Sequence, residues 1–413
     1  MTTIRPKSDP AASYAPLFAR RAAYPVPVLF RAGAASRQEV IPLTYGFPDP
    51  GSFPFADLVE ATARALDEGG ETALQYGPIA GDERFRAHVV ERLRDDGLDV
   101  SADNIIVTSG GSQGIQLVTE MVVDPGDAII VEAPTFIGAL QTFRNAEAEV
   151  HEVPLDDYGM RTDKLAEVLA TLAAAGKRPK LVYTIPTFHN PAGVSMPPER
   201  RHELIGLARQ YGVLILEDDA YSELRLDGER APFLYELEPE GLVIQVRTYS
   251  KILAAGLRLG YVVAPAALVP RLLPLKVDVG TSPFVSRLAA KFADNGRLAA
   301  HIEGLRGIYR DRRDAMLAAL DEHAPPPTTW TRPEGGFFVW LTLPAGLDSS
   351  ELLPRAVQAG VSFIPGSANF THGDGSRHLR LAFSFLPPGQ LSEGVRRLGM
   401  SIQAALARIE IQS

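Results

Sequence analysis

Thr248-Tyr249-Ser250-Lys251-Ile252-Leu253-Ala254-Ala255-Gly256-Leu257-Arg258 closes an α/β region of this 413-residue chain. A lysine follows three hydroxyl side chains, and an arginine stands seven residues after it. The apolar run Leu242-Val243-Ile244 lies just upstream and reads as a buried strand. A lysine desolvated near a strand end loses basicity and becomes nucleophilic. Thr248, Ser250 and Arg258 can donate to a phosphate, for which the arginine fork is well shaped. The bland alternative is an ordinary turn with Arg258 in an ion pair.

Working outward, Ile105-Ile106-Val107, Ala128–Val131, Leu181–Thr184 and Val213–Leu216 are further short apolar runs. Such runs suit strands covered on both faces. The helical stretches between several of them predict βαβ units and a mainly parallel sheet. Tyr261–Val263 is the candidate for a later, antiparallel strand. Phe55–Asp67 and Glu83–Arg94 have helical apolar spacing, and Tyr14–Ala23 reads as a short helix. Beyond a long helical stretch, Asn295–His323, stopped by Pro325-Pro326-Pro327, the chain reads as an α+β unit. Its strand candidates are Phe337–Trp340, Val361–Ile364 and Leu379–Phe383, and Leu391–Ile409 is a closing helix. The expected division is an arm over 1–55, a large domain over 56–294 and a small α+β domain over 295–413.

Net charge is −9, and no long basic run suggests a nucleic-acid surface. No cysteine occurs, which excludes disulfides and thiolate catalysis. No run approaches the roughly 20 apolar residues of a membrane span, and residues 1–10 carry no apolar signal core. A soluble cytoplasmic protein is the expectation.

Other segments carry chemistry. Ser109-Gly110-Gly111-Ser112-Gln113-Gly114 joins a strand to a helix, where free N–H groups can face an anion. Such junctions are common, and this one is neither a P-loop nor a dinucleotide fingerprint. Glu217-Asp218-Asp219 ends a strand run. Those acids could hold a metal, though no histidine is near; alternatively one carboxylate pairs with a pyridinium nitrogen. Tyr221 follows in the same turn. Asn190-Pro191 sits in a loop after Leu181–Ile185, suited either to a plain turn or to a cofactor oxygen. Arg380 lies among apolar neighbours. It either bridges an internal acid or awaits a substrate carboxylate. Arg20, Arg21 or Arg31 could serve a distal carboxylate, although exposed arginines are commoner. An amine for a Schiff base, an acid for a pyridine nitrogen and a phosphate cup are the parts a pyridoxal 5′-phosphate enzyme needs.

In this order the motifs resemble the class I/II aminotransferases of PLP fold type I. The resemblance extends to the 2-aminoadipate, aromatic and branched-chain transaminases related to the catalytic domain of GntR-type regulators. It spans nearly the whole chain, from Ala73–Gly81 through Glu132–Phe136, Pro186–Gly193 and Tyr249–Gly260 to Arg332–Trp340 and Leu379–Leu381. It implies a large domain with a mainly parallel, seven-stranded-type sheet plus a smaller domain, and pyridoxal 5′-phosphate as cofactor. Lys251 would bond the cofactor and shuttle a proton, Asp218 would pair with the ring nitrogen, and Asn190 and Tyr221 would contact the ring oxygen. Gly111, Ser112, Gln113, Thr248, Ser250 and Arg258 would cup the phosphate, with Phe136 stacked on the ring. Arg380, with Gly46 near it, would hold the substrate α-carboxylate. Tyr76 would reach the phosphate of a partner subunit, making a homodimer with a shared site. The chain departs from the family pattern at Arg247 (usually Gly), Phe136 (often Tyr), His189 (often Gln) and Ala192 (often Thr). Only about 40 residues precede the motif region, too few for a regulator's DNA-binding domain, so a stand-alone enzyme is expected. The implied reaction moves an α-amino group to a 2-oxo acid, with 2-oxoglutarate as acceptor. Other chemistry of this cofactor (oxidase, β-lyase, decarboxylase) and a non-catalytic sensor are the alternatives.

Overall fold

The computed structural model describes residues 14–23, 40–238 and 241–412. Its centre is an eight-stranded sheet: β1 (Ile105–Thr108), β2 (Ala128–Ala133), β3 (Glu149–Asp156), β4 (Gly159–Met160), β5 (Leu181–Thr184), β6 (Leu214–Asp219), β7 (Val243–Thr248) and β8 (Gly260–Val263). Their spatial order is β1-β8-β7-β6-β5-β2-β3-β4. Strands β7, β6, β5, β2 and β3 pair in parallel, and β8 runs antiparallel between β1 and β7, as its late position predicts. Seven strands make the expected sheet, and the eighth is a two-residue antiparallel return on β3.

Strands β1, β2, β5 and β7 are buried along nearly their whole length, β1 although it ends the sheet, so each reads as a nearly continuous apolar run. Strand β3 was not foreseen. Its Glu149-Val150-His151-Glu152 offers no continuous apolar run, because it lies near the sheet edge and is only half covered. Helices fill both faces. Ile129, Leu181, Leu216 and Ile244 point into one cluster, while Ile130, Val182, Ile215 and Val243 point into the other. That sorting follows from the two-residue repeat of a strand.

A second, antiparallel sheet is built from β9 (Thr329–Trp330), β10 (Phe338–Thr342), β11 (Ile364–Pro365) and β12 (His378–Ala382), in the order β9-β10-β12-β11. The expected strand Val361–Ile364 is divided. Val361 and Ser362 pair in parallel with Ile41 and Pro42, whereas Ile364 and Pro365 pair with β12. The long helix starts at Arg297 rather than Asn295, because Asn295 and Gly296 both adopt positive φ. The expected helix at Tyr14–Ala23 is instead two short 3₁₀ turns, Ala15–Leu17 and Arg20–Ala23. Pro16 and the lack of a buried apolar stripe leave that segment without the packing that sustains a longer helix.

Strand β8 reaches its place only because Gly260 has no side chain. A Cβ there would stand 2.8 Å from Gly110 C, 2.9 Å from Gly111 N and 2.8 Å from Arg247 O, all backbone atoms. Gly260→Ala is expected to lower stability by about 1–3 kcal/mol, the usual range for overpacking, read as a lower urea midpoint with an unchanged slope.

Candidate active site

The C-terminal ends of the parallel strands, where ligands bind in open α/β sheets, collect most of the singled-out residues. Gly110 and Gly111 follow β1, Phe136 follows β2, Asn190 follows β5, Asp218 ends β6, and Lys251 follows β7.

Beyond Thr248 the chain makes a single wide turn, Ser250–Ala254, which aims Lys251 back over the strand ends. The Lys251 Nζ donates to Gly46 O at 3.1 Å and lies 5.9 and 5.6 Å from the ring centres of Tyr221 and Phe337. Burial, then the Arg380 and Arg258 cations, push its pKa down to about 8, with Asp218 opposing. An amine in that range supplies free base near neutral pH.

Asp218 faces this amine, and burial raises its pKa to about 7. The Tyr183 hydroxyl counteracts by donating to Asp218 Oδ2 at 2.6 Å, whereas Asp219 and Glu132 push further upward. Tyr183 is fully buried on β5, and it was not among the residues singled out in the sequence. The available signal was a phenol inside an apolar strand, since a buried Tyr O–H needs a partner. The neighbouring acids do not converge with Asp218. Glu217 accepts from Leu234 N, Tyr235 N and Gln245, and Asp219 pairs with Arg247. No metal-holding group of acids and histidines occurs among the described residues. Glu132 was also unforeseen. It lies 3.1 Å from His189 Nε2, both residues being 1% exposed, and accepts from Thr184 Oγ1 and Ile185 N.

The phosphate candidates form an open, donor-rich cup. Gly110 has φ +84 and caps the helix Gly111–Val122, whose first-turn N–H groups point outward beside it. Thr248 Oγ1 and Ser250 Oγ lie 2.9 Å apart on the opposite wall. Arg258, at φ +48 and exposed, holds its guanidinium where a Cβ on Gly110 would be 2.7 Å from Nη2. Its own bonds, to Ala255 O and Ser109 O, are both 3.3 Å long. Gln113 is differently engaged. Its side chain accepts from Ser109 N and donates to Asp278, and its backbone N–H donates to Gly110 O at 3.2 Å, so it shapes the cup rather than offering a free donor. Phe136 precedes the helix Ile137–Asn145 half-buried, its ring held over Gly138, where a Cβ would approach to 2.5 Å. A cup with glycine walls, a helix N-terminus and a loosely bound arginine fits a phosphate monoester, and a carboxylate behind it fits a pyridine nitrogen.

Arg380 is 1% exposed on β12. Its Nη1 donates to Asn190 Oδ1 at 3.1 Å and its Nη2 to Thr44 O at 3.0 Å, while Nε is buried without a partner. Phe338 lies under the guanidinium at 4.4 Å. Burial lowers its pKa to about 10. Both hydrogen-bond partners are neutral, so the internal-acid alternative fails and an anion is what this cation lacks. Gly46 is required by close approach, because a Cβ there would meet Phe338 at 2.5 Å.

Two candidates stand apart. Tyr76 is 82% exposed, outside the group within one chain. Arg20 pairs with Glu147 at the far side of the large sheet, so it is not a distal carboxylate ligand here. Arg31 lies outside the described residues.

Residues 38–398 match the family described as aminotransferase class I and II. An aromatic-amino-acid aminotransferase of Thermococcus litoralis is 42% identical over 373 residues, covering 90% of this chain and 89% of that protein. The crystal structure of a multiple-substrate aminotransferase from Thermococcus profundus superposes with a TM-score of 0.91 at 39% identity, covering 96% of this chain and 99% of that one. An α-aminoadipate aminotransferase from Thermus thermophilus, complexed with N-(5′-phosphopyridoxyl)-L-leucine, has a TM-score of 0.88 at 34% identity and covers 95% and 99%. The chain therefore belongs to the aminotransferase class I and II family, as a fold type I enzyme that uses pyridoxal 5′-phosphate to transfer amino groups of amino acids.

Proposed function

We propose that Lys251, Asp218, Tyr221, Asn190 and Arg380 carry an α-amino transfer from an amino acid to a 2-oxo acid, with 2-oxoglutarate and glutamate as one partner pair. The observation that carries this reading is the buried Arg380, short of an anion and set around the same pocket as the Lys251 amine. Bound pyridoxal 5′-phosphate supplies an electron sink for the charge left when Cα loses its proton. Asp218, when ionised, would keep a ring nitrogen protonated, with Tyr183 holding its Oδ2. Tyr221 and Asn190 would contact the ring oxygen. Gly111, Ser112, Thr248, Ser250 and Arg258 would take the phosphate beside Gln113, and Phe136 would cover the ring. Arg380 receives the substrate α-carboxylate as a fork and thereby aims the Cα–H bond at Lys251. Lys251 would hold the cofactor through its amine and, as free base, would accept and hand on the proton of the substrate Cα.

The same reading includes a homodimer, with Tyr76 completing the partner's site. It is supported by the exposed apolar groups Leu74, Tyr76, Ile79, Val277 and Val279 on two adjoining loops. It also includes the division into an arm over 1–55, a large domain over 56–294 and a small domain over 295–413, and a cytoplasmic location. No helix among the described residues is long and apolar enough to cross a membrane.

Lys251→Ala is expected to abolish turnover while circular dichroism stays native; appreciable residual transamination would refute the role. Arg380→Gln is expected to raise KM for amino acids by roughly 100-fold, the cost of a lost charge-assisted clamp at about 3 kcal/mol, without weakening cofactor binding. A third expectation concerns pH. The Lys251 pKa is depressed in the fold to about 8, so burying the cation costs stability fully below pH 8, and the cost fades as pH rises toward the unfolded value near 10.4. In the cofactor-free protein Lys251→Ala should therefore raise the urea midpoint at pH 7 and lose that advantage by about pH 10. An advantage independent of pH would refute the electrostatic account.

A further inference from the structure

We propose that Arg247 is a positioning residue for the ring-nitrogen acid: by pairing Asp219 on the opposite face of the sheet, it leaves Asp218 as an ionisable carboxylate and locks the turn that carries Asp218 and Tyr221. This rests on the assignment of Asp218 given above. It also gives a role to a position where the family pattern usually has glycine.

Geometry supplies the argument. Asp219 and Arg247 are direct cross-strand partners at the ends of β6 and β7, and both are 5% exposed or less. Arg247 Nε donates to Asp219 Oδ2 at 2.8 Å, Nη2 to Ser222 Oγ at 3.3 Å and Nη1 to Asp96 Oδ2 at 2.8 Å. Asp219 in turn accepts from Ser222 N at 3.0 Å and Ser222 Oγ at 2.6 Å. The turn from Asp218 to Ser222 is thus closed by one knot, and Asp96 ties it to the end of the helix Glu83–Asp95. The Phe233 ring lies 4.7 Å from the guanidinium and covers it, while Asp96 at the outer end of the knot reaches solvent. Only a side chain with several donors in a fixed fork can serve three acceptors at once.

The charge consequence follows. Asp218 is faced by the Tyr183 hydroxyl, Tyr221, Glu132, Asp219 and Lys251. Around Asp219 and Arg247 stand Asp96, Glu223, Arg92, Tyr249, Tyr261, Arg201 and Arg225. Without Arg247, Asp219 is a buried anion beside Asp218 with its nearest cation removed, and like charge raises a carboxyl pKa. Asp218 would then hold its proton to higher pH and pair less well with a ring nitrogen.

The test is a titration of each cofactor-free variant with pyridoxal 5′-phosphate by fluorescence, from pH 5.5 to 9, with urea midpoints recorded in parallel. Arg247→Gln is expected to weaken binding at pH 7 by roughly tenfold or more, the factor that one pH unit of carboxyl shift carries, and to move the acid limb of binding to higher pH. Adding Asp219→Asn to that variant is expected to return the limb and most of the affinity, which a merely structural brace would not do. Native affinity in Arg247→Gln, or no recovery in the folded double variant, overturns the proposal. Should Arg247→Gln not fold, Asp219→Asn alone must shift the acid limb to lower pH; an unmoved limb overturns it. Asp218→Asn is the control. If it too binds like the native protein, the assignment of Asp218 has failed; if it binds weakly while Arg247→Gln does not, only the role of Arg247 has failed.

Discussion

Successive side chains of a strand point to opposite faces, and at the end of β6 this rule separates Glu217, Asp218 and Asp219. Glu217 and Asp219 share a face with Gln245 and Arg247, their cross-strand neighbours. Asp218 goes to the other face, where Tyr183 on β5 meets it. Three converging carboxylates would make a cation site. Split by the pleat, they become one solitary acid and a satisfied polar ladder. Everything the site does with a pyridine nitrogen depends on that separation, and the separation depends on register between β5, β6 and β7. A one-residue slip would turn Asp218 toward Gln245 and Arg247 and place Asp219 in the pocket.

The groups around the pocket are each held in a state that folding alone would not choose. Lys251, Asp218 and Arg380 all have pKa values displaced toward their neutral forms, with burial the first cause in each case. A cation lowered, an acid raised and a guanidinium short of an anion are what remains when partners are withheld. Arg201, equally buried and likewise pushed down by burial, is by contrast fully bonded: it donates to Met196 O, Pro186 O, Pro232 O and Thr187 Oγ1, and lies 3.9 Å from Glu217. The contrast between Arg201 and Arg380 separates a structural arginine from one kept for a ligand.

Legibility in the sequence followed burial. Inner strands announced themselves as apolar runs, and Lys251, Asp218 and Asn190 were readable because each follows such a run by a few residues. Strand β3 was not readable, because a half-covered strand near an edge needs no continuous apolar run, and Glu149-Val150-His151-Glu152 carries none. Tyr183 and Glu132 were hidden for a different reason. Each lies inside a strand already explained by its apolar neighbours, and their partners, Asp218 and His189, are distant in sequence and close only across the sheet. Gln113 shows the converse. Its position in the motif was legible, whereas the turn of its side chain toward Asp278 depends on a loop 165 residues away.

The segment from Leu43 to Phe47 shows how the two free cations are kept in place before any ligand arrives. Its carbonyls are used in sequence: Leu43 O accepts from Ala382 N, Thr44 O from Arg380, Gly46 O from Lys251, and Phe47 O from Ser384 Oγ. Two of these bonds fasten the strap to the small sheet, and the two between them hold the functional cations. A carbonyl is a neutral acceptor, so its bond to a cation is weaker than the charge-assisted bond a carboxylate makes. The strap therefore orients Arg380 and Lys251 without satisfying them. A substrate carboxylate gains more at Arg380 than Thr44 O loses, and Lys251, freed from Gly46 O, keeps a short path to the atom it must reach. Gly46 is the residue that permits this arrangement, since any side chain there would push the strap away from Phe338 and from both cations.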